Sequence, residues 1–498
     1  MVNKVGGKMN TIKQLLSDIE GSYFKEYASL DQEINQLEYF SGHLKRTRDY
    51  STTVFVCITN ERRQYINQMR PVKWADGNEQ IKGKENQFAL IVTEHPIEDP
   101  RVTTPQFIVQ DSWRFLLEFA NKMRQSFKKP VIAITGSAGK TSTRMMITHA
   151  FKEEKVLENR GNHNVRFAIP LYLSQLVWDC DVLNLEVSLN ALNTYDTGSM
   201  SNLIQLDIAI VTSIGEAHLS SLKTTKNVAY YKSKIFDGLK KNGMAIINTD
   251  MGAEELAILI QAAEKKTTEI FTYSLYDTSR DVYVLSVEQK KEFCEVGIHF
   301  FEQEFKIRLS VPSSGMISNA LATLIAIWKI KGDVSACLTT FETFKPLPKI
   351  LEKHVYPNEP SFTFIDDTHN ASLPSMKNAI NYFKGVRPFY KGNSILVLGQ
   401  IADLGNAAED VHQQVMQELT DVPADYIYGY GENFRKLFNE KNKNDHKYEW
   451  FDTLPELTKN IEQHLTNDSI ILAKGSVTGS DFHEIDRYIR QISLKEMV

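Results

Sequence analysis

The chain has 498 residues, 42% hydrophobic and 24% charged, and its 57 Lys and Arg against 62 Asp and Glu leave a formal net charge of −5. Mild acidity without a long basic block argues against a dedicated nucleic-acid binder, and no stretch reaches the ~18 apolar residues of a membrane span or the apolar core of a signal peptide. Four scattered cysteines, Cys57, Cys180, Cys294 and Cys337, have neither metal-site spacing nor the density of a disulfide scaffold, which fits a reducing cytoplasm.

At about 150 residues per domain the length predicts roughly three domains. Residues 1–128 read as a small mixed α/β unit with strands at Thr53–Ile58 and Phe88–Val92 and a helix near Trp113–Phe127. From 129 to 347 the pattern changes. Val131–Thr135, Val182–Val187, Ile208–Ser213 and Met244–Asn248 are short β-branched runs separated by helix-length segments, the signature of βαβ units and a mostly parallel sheet. Phe271–Leu309 alternates aromatic and β-branched residues with polar ones, which predicts appended antiparallel strands, and Asn319–Lys329 reads as a buried helix. Two prolines in Lys345–Lys349 (KPLPK) stop helices and stiffen a linker, so a hinge is expected there. Residues 348–498 return to α/β alternation, with strands at Phe362–Ile365, Ser394–Leu398, Tyr426–Tyr428 and Ile470–Ala473. The expected class is α/β with three domains: a small mixed N-terminal domain, a central P-loop domain on a parallel sheet, and a Rossmann-like C-terminal domain.

The sharpest site signal follows the first strand of the central domain. Gly136-Ser137-Ala138-Gly139-Lys140-Thr141-Ser142 joins a buried strand to an amphipathic helix. Glycines there let successive N–H groups converge on phosphate oxygens, the helix N-terminus adds partial positive charge, a lysine bridges the β- and γ-phosphates and a threonine hydroxyl ligates Mg²⁺. The spacing departs from G-x-x-x-x-G-K-[ST], because only two residues separate the glycines.

This short loop resembles that of the Mur ligase family, and further matches follow in order. Gly161-Asn162-His163-Asn164 with Ile169-Pro170 is similar to G-N-x-N…(V/I)-P, and Glu186 closes a strand where the family has E-M-G. Thr212-Ser213-Ile214-Gly215-Glu216-Ala217-His218-Leu219 resembles T-N-I-G-E-A-H-L. Asp366-Asp367-Thr368-His369-Asn370-Ala371 with Pro374-Ser375-Met376 resembles D-D-x-Y-N-A-N-P-x-S-M. Leu398-Gly399, Asp403-Leu404-Gly405 and His412 resemble L-G-D-M-x-E-L-G…H, and Lys474-Gly475-Ser476 the terminal K-G-S. The likeness covers about residues 105–480 and is weak before them.

The resemblance implies an ATP-dependent ligase that activates a carboxylate as an acyl phosphate and then forms an amide. It implies two Mg²⁺ sites, with Thr141, Glu186, His218 and Lys232 as ligands and Lys232 carbamylated, a change that turns a cation into an anion and needs the neutral amine first. Lys140, Lys232 and His218 would be catalytic. Asn319, Lys349 and Asp367 would join the phosphate loop in holding nucleotide, and Asn162, Asn164, His369, Asn370 and Lys474 would meet substrate. The implied partners are small molecules, a UDP-N-acetylmuramoyl peptide and a dipeptide or their analogues, met by a cytoplasmic monomer.

Several positions depart from the family pattern. Gly315-Met316 stands for an H-N pair, Lys349-Ile350 for a hinge arginine, Val477 for the arginine of K-G-S-R and Arg46-Thr47-Arg48-Asp49 for D-S-R. After Thr53–Ile58 the uridine loop is replaced by TNERRQYINQM, where Arg62 and Arg63 either meet a pyrophosphate or form a solvated face. Two other readings therefore stay open: a ligase of the same chemistry acting on another carboxylate, and a catalytically silent nucleotide-binding partner. A motor or transport NTPase fits the loop spacing less well.

Overall fold

The computed structural model describes residues 11–45, 48–66, 75–161, 163–177, 179–193, 198–215, 222–311 and 313–494. The expected sites Asn162 and His218, and the Arg46-Thr47 pair, lie outside the described residues. No helix among the described residues is long and apolar enough to cross a membrane.

Three sheets carry the fold, one in each predicted region. β1 (Ser22–Tyr23), β2 (Gln36–Glu38), β3 (Thr53–Val56), β4 (Leu90–Thr93) and β5 (Gln106–Ile108) form the first, in the order β1-β5-β4-β3-β2. All its neighbours are parallel except β1, which runs antiparallel to β5. Only β3 and β4 are legible as apolar runs; the other three strands are two or three residues long, too short for a period-2 pattern to register.

The second sheet comprises β6 (Val131–Thr135), β7 (Val156–Glu158), β8 (Val182–Glu186), β9 (Leu206–Val211), β10 (Leu239–Asn248), β11 (Glu269–Ser274), β12 (Val282–Gln289), β13 (Cys294–Phe300) and β14 (Gln303–Leu309). Its order is β14-β13-β12-β11-β10-β9-β6-β8-β7. Every residue of β6 and β8 is buried, as expected of strands covered on both faces. β12, β13 and β14 pair antiparallel as expected, whereas β11 runs parallel to both β10 and β12. The buried helix is Ser314–Lys331, longer at both ends than the apolar run suggests. Ser313 caps its start by accepting from Met316 N at 3.2 Å, and Gly332 ends it at φ 75° with its N–H on Trp328 O, the left-handed stop that glycine takes without steric cost.

β15 (Glu352–Tyr356), β16 (Phe362–Asp367), β17 (Ser394–Gly399), β18 (Tyr426–Tyr430), β19 (Tyr448–Phe451) and β20 (Ser469–Lys474) form the third sheet, in the order β15-β16-β20-β17-β18-β19. It is parallel except for β15, an antiparallel edge on β16. Apolar clusters on its two faces, one around Met376, Phe383 and Val415 and the other around Phe364, Leu457 and Ile485, make it a doubly covered sheet of the Rossmann kind.

By packing, the chain divides into two compact units, residues 1–133 with 151–209 and 234–243, and residues 134–150 with 210–233 and 244–498. One reason the first unit includes both N-terminal and later segments is Arg124, on the helix Ser112–Ser126. Its buried guanidinium donates to Ile204 O at 2.6 Å, Gln205 O at 2.7 Å and Phe127 O at 2.7 Å. Three carbonyl partners are what a buried guanidinium needs to offset its lost hydration.

Candidate functional site

In the second unit, the end of β6 leads through Gly136–Gly139 into the helix Lys140–Ala150. The loop is zipped to the segment after β9: Ser137 N donates to Ser213 O at 2.9 Å, Ala138 N to Ser213 Oγ at 2.9 Å and Gly215 N to Ser137 Oγ at 2.9 Å. Thr212 Oγ1 donates to Ala138 O at 2.5 Å. Asn248, at the end of β10, donates from Nδ2 to Thr212 O at 2.8 Å and so braces that segment from behind. The glycines are steric requirements. A Cβ on Gly136 would fall 2.0 Å from Thr212 Oγ1, and one on Gly139 would fall 2.5 Å from Asn319 Oδ1. Gly139 also has φ 84°, a left-handed conformation that costs other residues about 1–2 kcal/mol. The two glycines thus let the loop backbone pack against Thr212 and Asn319 at the start of the helix, whose N-terminus favours an anion.

Two amines converge on this loop. Lys140 Nζ lies 2.9 Å and Lys232 Nζ 2.8 Å from the same acceptor, Gly136 O. Lys232 is 1% exposed and comes from the helix Thr225–Ser233. Asn319 packs against Gly139, so the structure sets it beside the phosphate loop itself. Ser314 Oγ donates to Asn378 Oδ1 at 2.6 Å, tying the start of that same helix to the helix Leu373–Val386.

Asp367, Lys474 and Asn370 come together at the end of β16. Lys474 Nζ pairs with Asp367 Oδ2 at 3.1 Å and donates to Asn370 O at 2.6 Å, while Asp367 Oδ1 accepts from Leu351 N at 3.2 Å. Burial raises the Asp367 pKa and the Lys474 charge opposes that rise. Lys349 turns the same way, with φ 63°, its Nζ 2.8 Å from Asp486 Oδ1 and also on His483 O. The charge expected to replace the hinge arginine thus lies inside the C-terminal region, balanced by Asp486.

His369 is exposed, yet the cover its ring does have and, second, the Lys474 ammonium lower its pKa from 6.5. A depressed histidine favours the folded state above the unfolded value of 6.5, and that contribution fades as pH falls through the folded value. His369→Gln is therefore expected to flatten the decline of Tm below pH 6.5, checked by thermal melts across pH; an unchanged decline would contradict it.

In the first unit, Glu186 ends β8 with 3% exposure. Asn164 Nδ2 donates to Glu186 Oε1 at 2.7 Å, which makes Asn164 a support for this carboxylate. Asn159, which sequence reasoning missed, bonds both the N–H and the C=O of Glu186; a lone asparagine after a three-residue strand gives no pattern to find it by. Arg62 pairs with Glu94 and Asp111, and fully buried Arg63 donates to Ile58 O and Tyr39 O. Arg63 is therefore no part of a solvated face, while the Arg62 side chain keeps 30% of its surface exposed.

Two family models match the chain, the Mur ligase middle domain over residues 134–327 and the Mur ligase glutamate ligase domain over 354–477. The UDP-N-acetylmuramoyl-tripeptide–D-alanyl-D-alanine ligase of Buchnera aphidicola is 30% identical over 373 residues, 71% of this chain and 76% of that protein. The ligase of the same name from Haemophilus influenzae is 27% identical over 404 residues, 79% and 83% of the two chains. A crystal structure of MurF from Acinetobacter baumannii superposes with a TM-score of 0.77 at 22% identity, covering 97% of this chain and 99% of that one. Sequence motifs, the phosphate loop and relatives over most of the length agree, and the chain belongs to the Mur ligase family of ATP-dependent, ADP-forming amide ligases.

Proposed function

We propose that this chain joins D-alanyl-D-alanine to the terminal carboxylate of a UDP-N-acetylmuramoyl tripeptide in peptidoglycan synthesis, as a cytoplasmic monomer. The observation that carries this reading is the phosphate loop locked to residues 212–215, with Lys140 and buried Lys232 on the Gly136 carbonyl, in a chain whose relatives bear that activity in their names. Residues 1–128 are assigned to the UDP-sugar portion, 129–347 to ATP with substrate contacts at Asn162 and Asn164, and 348–498 to further substrate contacts at His369, Asn370 and Lys474.

A carboxylate becomes an electrophile only when one oxygen is made a leaving group. Its oxygen attacks the γ-phosphorus of ATP, the bond to ADP breaks, and an acyl phosphate forms. The dipeptide amine then attacks the carbonyl carbon, phosphate departs with the C–O electron pair, and the nitrogen gives up a proton. Lys140 and the loop N–H groups offset charge on the transferring phosphoryl. Asp367 and Lys349 would reach nucleotide by exchanging their partners Lys474 and Asp486 for it.

Among the described residues no three His, Cys, Asp or Glu side chains cluster as a metal cage. Magnesium takes one or two carboxylates and completes its shell with water and substrate phosphates. Buried Glu186, oriented by Asn164, has the chemistry of such a ligand. Thr141, Glu186, His218 and carbamylated Lys232 would hold the ions, which supply charge neutralisation at the phosphates.

The test is phosphate release from ATP and Mg²⁺ with a panel of carboxylate and amine substrates. Turnover is expected to require UDP-N-acetylmuramoyl tripeptide with D-alanyl-D-alanine. Turnover only with another pair would establish the second reading, a ligase for a different carboxylate, which the burial of Arg63 favours. Tight ATP binding without turnover on any pair would overturn both.

A further inference from the structure

The loop that leaves β7 is stitched to the end of β8 through one side chain. Asn159 Nδ2 donates to Glu186 O at 2.7 Å and to His163 O at 2.9 Å, while its Oδ1 accepts from Glu186 N at 2.8 Å. The residue is 1% exposed. Around this carboxamide, Ser188 N donates to Asn164 O at 2.9 Å, Arg166 N to Asn190 Oδ1 at 3.1 Å, and Asn164 Nδ2 to Glu186 Oε1 at 2.7 Å. β7 and β8 are in register from Val156↔Val182 to Glu158↔Asn184, and the ladder stops there. Asn159 continues it with a side chain, so the strand end holding Glu186 is fixed just past the last regular pair.

We propose that Asn159 is a positioning residue for the Glu186 carboxylate, setting the geometry in which that group meets a divalent cation; this rests on the ligase reading above. The physical reason is rigidity. Glu186 has both its main-chain polar groups bound by one amide and one carboxylate oxygen bound by a second, Asn164, that the same amide holds in place through His163 O. Two conformational freedoms are removed at once, the peptide orientation at 186 and the rotation of the carboxylate. A ligand oriented by a hydrogen-bonded outer partner binds its cation more tightly, and loss of such a partner typically lowers metal affinity about 10- to 100-fold. Asn159 does not touch the cation, so its removal acts on the metal and leaves the phosphate loop, built from other segments, as it is.

The experiment measures Mn²⁺ binding by electron paramagnetic resonance in the full chain saturated with ADP, ADP binding in EDTA, and Tm, for the parent, Asn159→Ala, Asn159→Ser and Glu186→Gln. Asn159→Ala is expected to weaken Mn²⁺ binding about tenfold or more with ADP affinity in EDTA unchanged. Asn159→Ser, whose hydroxyl restores one donor and one acceptor, should fall between it and the parent, and carries the test if the alanine variant does not fold. Parent-like Mn²⁺ affinity in both Asn159 variants would overturn the proposal, as would equal losses of Mn²⁺ and metal-free ADP binding. Glu186→Gln separates the two levels: if it leaves Mn²⁺ binding intact, the assignment of Glu186 as a metal ligand fails, whatever Asn159 does.

Discussion

Lys140→Met is expected to lower kcat by about 10²- to 10³-fold while leaving Tm close to the parent. The side chain begins the helix Lys140–Ala150, and its Nζ already points into the loop, on Gly136 O at 2.9 Å. Methionine keeps the apolar stem and removes the charge, so packing is retained while the bond to Gly136 O is lost. Phosphoryl transfer gives a protein little covalent work to do, and most of the rate comes from charge compensation on the moving group. The loss should therefore fall mainly on kcat, with a smaller rise in KM for ATP, because charge on the bridging and terminal oxygens is largest in the transition state. Arginine should not restore the rate: a planar fork replaces a point charge where a second amine shares the same carbonyl. Single-turnover phosphoryl transfer with ATP in excess measures the step directly, and parent-like turnover would refute the phosphate-loop assignment.

The phosphate loop was legible in the sequence because each of its signals is local. A β-branched run, two glycines at close spacing and an amphipathic helix fall within Val131–Ala150, and the structure puts strand, loop and helix there. The cores of the second and third sheets were legible for the same reason, since buried parallel strands are continuous apolar runs. Edge strands were not. β15 reads EKHVY, part-buried with Val355 exposed, and takes its place through backbone pairing with β16, so no apolar period marks it. The partners of Lys349 were equally hidden: Asp486 lies 137 residues further on, and the left-handed φ that turns the lysine towards it occurs at a residue type with no preference for that conformation. Motif resemblance named Asp367 and Lys474 separately, one for nucleotide and one for substrate. That they form a buried ion pair follows from the parallel register of β16 and β20, which sets Asp367 opposite Lys474, and register is a property of the assembled sheet.

The family resemblance also picked out Lys232, where the expected loss is as large and its rescue is more informative. Lys232→Ala should reduce turnover by at least about 10²-fold, and acetate or formate should recover a substantial part of it. The side chain is 1% exposed, so alanine leaves a closed cavity with a polar end rather than a patch of surface, and a small ion can occupy it. Lys232 shares the Gly136 carbonyl with Lys140. Two ammonium groups on one acceptor repel, and burial adds the cost of desolvating a charge. Reaction of the neutral Lys232 amine with CO₂ removes the repulsion, forming an N–C bond, releasing a proton and replacing a cation by a carbamate anion whose attraction to the Lys140 ammonium offsets the cost of its burial. If that is the working form, carboxylates rescue the alanine variant and short alkylamines do not, and the parent loses activity in CO₂-depleted buffer and regains it with bicarbonate. Rescue by ethylamine instead would mean that the unmodified cation is the working group. A folded Lys232→Ala variant that responds to neither would remove Lys232 from the catalytic set.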